Sequence, residues 1–231
     1  MSKLVKVLAI DDEEDILDLL KYNFNKEGYD IKTANNGKKG IEIAKDFIPD
    51  VVLLDIMMPG IDGVETCRQL REIPKLNNSF IIFLTARAEE YSEIAAFDNG
   101  ADDYIIKPIK PRALLSRIAA LIRRDEKEGQ TSSDKKNEVV SIGGLVIDKS
   151  SYTVKKDNKD IALPKKEFDL LYYLATNPNK VFNRDELLAS IWGTDVYVLS
   201  RTVDVHIRKV REKVGEDLIQ TIKGVGYKFN N

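Results

Sequence analysis

Three carboxylates, a hydroxyl and an ammonium follow short apolar runs in the first half of this chain. Residues 4–10 lead to Asp11 and Asp12, 51–54 to Asp55, 80–84 to Thr85 and 104–106 to Lys107. Gathered together, the carboxylates repel one another, and the least costly remedy is a divalent cation with oxygen ligands. Magnesium suits them, because two carboxylates, a backbone carbonyl such as that of Met57, and water complete its octahedron. Thr85 and Lys107 go beyond a metal trap: a transferring phosphoryl group needs cations and a hydroxyl on its oxygens. Asp55 is then the acceptor nucleophile, forming an acyl phosphate. Plainer readings stand beside this one. An acidic pair before a helix caps its free N–H groups, and Lys107 forms a simple salt bridge. The 107–108 bond precedes a proline, where a cis peptide is affordable and is one way to turn the lysine inward.

The elements that must position these groups follow from periodicity. Apolar runs of that length, each followed by an amphipathic stretch, predict buried parallel strands alternating with helices. The predicted helices are 13–28, 38–47, 63–73, 91–99 and 111–123, with a second strand at 29–34. A fivefold βα count with right-handed crossovers gives a doubly wound parallel sheet, which gathers the carboxyl ends of its strands along one edge. Residues 123–138, RRDEKEGQTSSDKKNE, have no apolar anchor and predict a mobile linker. Beyond it, residues 139–163 alternate in short strands. Helices are expected at 165–176, 184–192 (N-capped by Asn183) and 200–214, and a hairpin at 219–229.

The 231 residues suffice for two domains. No long apolar stretch crosses a membrane and the start is too short for a signal peptide, so a cytoplasmic protein is expected. A lone Cys67 excludes an internal disulfide and a Cys-based zinc site. The net charge of −2 conceals an asymmetry: residues 1–122 carry 16 Lys and Arg against 21 Asp and Glu, whereas residues 139–231 carry 15 against 12. The acidic half suits a cation and the mildly basic half an anionic partner.

The segments AIDDEED, LLDIMMPGIDG, LTAR and GADDYIIKPI resemble the receiver domain of bacterial two-component response regulators across residues 1–122. The resemblance implies a flavodoxin-like (βα)5 α/β fold, with Asp55 as phosphoacceptor for a partner histidine kinase. It makes Asp12, Asp55 and the carbonyl of Met57 magnesium ligands, with Asp11 acting mainly through water. It also makes Thr85 and Lys107 phosphoryl contacts, and Tyr104 a switch aromatic that turns inward when Thr85 moves. The catalysis implied is limited to the domain's own phosphotransfer and slow dephosphorylation. In relatives the face built by the fourth helix, fifth strand and fifth helix pairs two active receivers, which here implicates Ile94, Phe97, Asp103, Leu115 and Arg117. Glu93, Ala113 and Ala119 depart from the usual charges, so the expected dimer leans on its apolar patch.

In the second half, Val203, Ile207, Val210 and Val214 form one stripe, leaving Arg201, Val205, Arg208, Lys209 and Glu212 on the opposite face. A solvated charged face is the ordinary meaning of that pattern. The short helix before it and the hairpin carrying Lys223 after it favour a helix-turn-helix with a wing. LPKKEFDLLYYLATNPNKVFNRDELLASIWG, SRTVDVHIRKVREKV and IQTIKGVGYKF resemble the α+β winged helix-turn-helix effector domain of the OmpR/PhoB subfamily, within residues 139–231. By that resemblance Asp204, Val205 and Lys209 lie near base edges. Arg201, Thr202, His206, Arg208, Arg211, Thr221, Lys223 and Tyr227 complete the contacts to double-stranded DNA at tandem half-sites. Lys209 stands where several relatives have arginine, which removes a bidentate guanine contact. The loop 193–199, with Asp195 and Tyr197, is where relatives touch RNA polymerase.

The expected function is therefore a DNA-binding response regulator that dimerises on phosphorylation. One rival keeps DNA binding and uses the receiver as a phosphorylation-independent dimerisation module. Another is a phosphatase of the haloacid dehalogenase type. These enzymes place a second aspartate two positions beyond the nucleophile, where this chain has Met57.

Overall fold

The computed structural model describes residues 4–86, 100–130, 139–193 and 201–230, with only the backbone described at 124–130 and Arg201. The expected helix 91–99 with Glu93, Ile94 and Phe97, the stretch 131–138, and Asp195 and Tyr197 lie outside the described residues. The chain divides into two compact units, residues 1–120 and 121–231.

In the first unit, β1 (Lys6–Ile10), β2 (Asp30–Ala34), β3 (Val51–Asp55), β4 (Phe80–Thr85) and β5 (Asp103–Ile106) form one parallel sheet in the order β2-β1-β3-β4-β5. Strands β1, β3 and β4 are flanked on both sides, which is why they are continuous apolar runs: Val7–Ile10, 51–54 and 81–84 are all fully buried. Described helices α1 (Glu14–Lys26), α2 (Gly37–Phe47), α3 (Gly63–Arg71) and α4 (Pro111–Gln130) contribute Leu20, Phe24, Ala44, Cys67, Leu70 and Ile118 to the core. The strand order reverses between β1 and β3, and open α/β sheets bind ligands beyond the carboxyl ends of their strands at such a point.

Helix α4 continues to Gln130, where the sequence predicted a helix ending at residue 123 and then linker. Arg, Glu, Lys and Gln are strong helix formers, and their propensity carries the helix past its last apolar residue.

The second unit opens with an antiparallel sheet of β6 (Val139–Ile142), β7 (Leu145–Asp148), β8 (Thr153–Lys156) and β9 (Lys159–Ile161). Its tight turns at Gly143-Gly144 and Asp157-Asn158 place all four residues at positive φ, as two-residue hairpins of this twist require. Then follow α5 (Lys165–Ala175), β10 (Val181–Asn183), α6 (Arg184–Ile191), α7 (Arg201–Val214), β11 (Ile219–Ile222) and β12 (Gly226–Phe229). The expected C-terminal hairpin is a three-stranded sheet, since β10 pairs antiparallel with β12. A Cβ on Gly226 would lie 1.9 Å from Phe182 O, so only glycine allows that pairing. Asn183 caps α6 as expected, in a reciprocal box with Glu186. Phe168, Leu171, Leu174, Leu187 and the predicted α7 stripe Val203, Ile207, Val210 and Val214 fill the core.

Candidate functional site

The carboxyl edge of the parallel sheet is built by close backbone contacts. Asp11 follows β1, where its N–H donates to Ala34 O on β2 at 3.1 Å. Asp55 ends β3, and α3 begins against it: a Cβ on Gly63 would lie 2.1 Å from Asp55 O, so glycine permits the approach. Lys107 N–H donates to Thr85 O at 2.7 Å, fixing the exit of β5 beside the end of β4. The Lys107–Pro108 peptide is cis.

These contacts bring the side chains together. Asp11, Asp12 and Asp55 each place a carboxylate oxygen within 4.8 Å of the others. Lys107 Nζ lies 2.9 Å from Asp11 Oδ2, 3.1 Å from Asp55 Oδ1 and 2.9 Å from Glu13 Oε1. Thr85 is buried beside them at the end of β4, while the Met57 side chain is exposed. Helix capping does not account for the acidic pair. Glu13 occupies the N-cap of α1 without a side-chain cap, Asp12 points outward, and Asp11 is fully buried, its Oδ1 accepting from Glu13 N–H at 3.0 Å. Glu13 is a partner of Lys107 that the motif did not single out; AIDDEED places a third acid there without showing which way it turns.

Burial raises the pKa of Asp11 despite its hydrogen bond from Lys107. Asp55 is raised by burial and then by the charge of Asp11. Burial alone lowers Lys107, but its hydrogen bonds to Glu13 and Asp11 outweigh it, so the lysine is held firmly as an ammonium. Asp11 Oδ2 is enclosed, with the Lys107 ammonium 2.9 Å away. Three crowded carboxylates, two of them with raised proton affinity, and one shared ammonium are under-neutralised. The all-oxygen donor set fits a hard cation of magnesium type.

Outward from the site, Tyr104 on β5 is already buried at 5% exposure. Asp103 and Arg117, expected to pair two copies of the chain, pair within it. Arg117 Nε and Nη2 donate to the two Asp103 oxygens at 2.8 and 2.7 Å, because α4 packs its arginine directly over β5. Leu115 is half-buried on the same helix.

The expected DNA face of the second unit separates into outward and inward groups. Arg208, Thr221 and Lys223 are exposed, and Val205 and Lys209 half-buried. Thr202, expected among the DNA contacts, and His206, expected as a packing or phosphate residue, are buried at 3% and 1% exposure. Their positions widen the apolar stripe of α7, and the His206 ring lies 4.9 Å from that of Trp192. Arg211 turns to the hairpin, donating to Ile219 O at 2.6 Å and Thr221 Oγ1 at 2.8 Å. Tyr227 is buried at 5% exposure, and its hydroxyl donates to Asp204 Oδ1 at 2.6 Å. Arg184, absent from the expected set, pairs with the same oxygen at 2.7 Å. A sequence signal existed: a cation at the first position of a helix opposes the helix dipole and implies an anion nearby.

Known proteins share both units. Residues 7–119 match the family described as response regulator receiver domain. Residues 158–229 match that described as transcriptional regulatory protein, C terminal. DrrB, an OmpR/PhoB homologue from Thermotoga maritima, is 33% identical over 99% of this chain and 100% of its own, with a TM-score of 0.50. A RitR variant with a cysteine replaced by serine is 28% identical over 98% of this chain and 99% of its own, with a TM-score of 0.80. A CheY-like receiver protein from Methanospirillum hungatei is 32% identical over 55% of this chain and 100% of its own, with a TM-score of 0.50.

Proposed function

Because this chain belongs to the OmpR/PhoB-type response regulators of two-component systems, with a receiver joined to a winged-helix transcriptional regulatory domain, we propose that phosphorylation of Asp55 switches its regulation of transcription. The observation that carries the reading is the convergence of Lys107 on Asp11 and Asp55 at the carboxyl edge of the sheet. An Asp55 oxygen attacks the phosphorus of a phosphohistidine on a partner kinase. The P–N bond breaks, the imidazole leaves, and an acyl phosphate forms on Asp55. Lys107 Nζ and the Thr85 hydroxyl hold the phosphoryl oxygens. Asp12, Asp55 and the Met57 carbonyl, with Asp11 acting mainly through water, would hold magnesium, which would offset the charge of the incoming phosphoryl group.

Output follows through pairing of two phosphorylated chains and docking of α7 in the major groove of tandem half-sites, with the β11–β12 wing alongside. Asp103 and Arg117 are already engaged within the chain, so pairing leans on apolar residues of that face, Leu115 among them. The protein is a regulator and no turnover phosphatase: Met57 has no proton to donate as general acid. One structural relative is described as a member of a family of redox sensors evolved from response regulators. The one cysteine here, Cys67, is fully buried on α3, which favours phosphorylation as the input instead.

Incubation with magnesium and acetyl phosphate is expected to give acid-labile phosphate on the wild type and none on Asp55→Ala. Equal labelling of both proteins would sink the assignment. Equal DNA affinity with and without phosphate would favour a receiver used only for dimerisation.

A further inference from the structure

Asp204 lies on the stretch of α7 assigned to base edges, yet its Oδ1 is already engaged. Arg184 Nε donates to it at 2.7 Å from the start of α6, and the Tyr227 hydroxyl at 2.6 Å from β12. The Arg184 guanidinium also lies 5.2 Å from the Tyr227 ring centroid, within cation–π range, with Nη2 3.4 Å from the hydroxyl. On the next turns of α7, the Arg211 guanidinium sits 5.7 Å from the same ring and donates to Ile219 O and Thr221 Oγ1 on β11. One carboxylate thus joins α6, α7 and the wing, and Arg211 ties the second wing strand to the same assembly. A carboxylate that reads a base accepts from a cytosine amino group. Here Oδ1 accepts from two protein donors, and charge-assisted bonds of this kind hold the whole carboxylate in an orientation set by the protein.

We propose that Asp204 acts on DNA indirectly, as a brace that sets the wing against the recognition helix through Arg184 and Tyr227, and that it reads no base itself. The proposal rests on the reading of this unit as DNA-binding. It makes Asp204, Arg184 and Tyr227 positioning residues whose loss weakens binding to all duplexes alike, leaving sequence preference to Val205 and Lys209.

The test uses the full, phosphorylated chain and a randomised DNA duplex library, with hydrogen exchange of the DNA-free protein run in parallel. Asp204→Asn and Arg184→Gln are each expected to lower affinity for selected duplexes by about tenfold. The double variant should bind no more weakly than the weaker single one, because both remove the same link. The selected base preferences should match the wild type. Amides of 221–226 should exchange several-fold faster in Asp204→Asn, and also in Tyr227→Phe, which keeps the ring and removes only the hydroxyl. A changed preference at one base pair in Asp204→Asn that Arg184→Gln does not share overturns the brace, as does unaltered wing exchange. If the wild type selects no duplex, the DNA-binding reading fails, and the exchange rates still decide the brace.

Discussion

At 4% exposure Asp55 is an awkward place for a negative charge, and the two aspartates beside it make it worse. Burial raises the proton affinity of Asp55 and Asp11 above the ordinary value of 3.8. A carboxyl whose folded pKa is raised binds its proton more tightly folded than unfolded. Its contribution to stability is full below 3.8 and is lost as pH rises through the folded value. At neutral pH the metal-free site therefore destabilises the fold. Asp55→Asn is expected to raise the melting temperature of metal-free protein by about 3–6 °C, as roughly 1 kcal/mol does in a domain of this size. It should also remove most of the stabilisation that added magnesium gives the wild type; thermal melts with and without magnesium check both. Lys107 has the same sign in a far higher pH window, so at neutral pH its contribution is still present. Its raised pKa reflects stability present below the ordinary lysine value and lost only at strongly alkaline pH. Lys107→Met leaves Asp11 and Asp55 without their shared cation, so the same melts should show a lower transition at pH 7.

At the level of elements, backbone approach matters as much as side-chain chemistry. Gly63 lets α3 start against the carbonyl of Asp55. Gly63→Ala must push the end of β3 away, and misplacing a nucleophile by even an ångström is costly. Labelling from acetyl phosphate should slow by at least about tenfold while Asp55 remains present. In the second unit the Asn183 and Glu186 box holds the start of α6, where Arg184 begins the link to α7. Asn183→Ala should cost about 1 kcal/mol in urea unfolding. Strand β10 is not legible in the sequence, because Val181–Asn183 is too short for alternation to show and becomes a strand only by pairing with β12. The extension of α4 is hidden for the opposite reason. No apolar position marks where its last turns stop.

Over the whole molecule each unit carries its own buried core, and the family matches fall one on each. Fragments 1–130 and 139–231 are expected to unfold as separate cooperative transitions, the first gaining stability from magnesium and the second not; circular dichroism melts of each fragment decide this. The mildly basic second fragment should bind duplex DNA with an affinity that falls steeply with salt.

The sequence alone determined the alternation of strand and helix, the parallel edge and the acidic residues that meet there. All three follow from local periodicity and from which residue types end which runs. Asp55 stood out as a candidate because a carboxylate ending a continuous apolar strand is costly to bury unless it binds a cation or reacts. Only tertiary structure decided where partially committed side chains turned. Asp103 and Arg117 stand 14 residues apart and meet because α4 crosses β5. Thr202 and His206 lie at the margin of an apolar stripe and are buried with it, His206 beside the ring of Trp192. Glu13 and Asp204 each became one member of a shared contact, since a charged side chain takes its role from the opposite charge that the fold brings within reach.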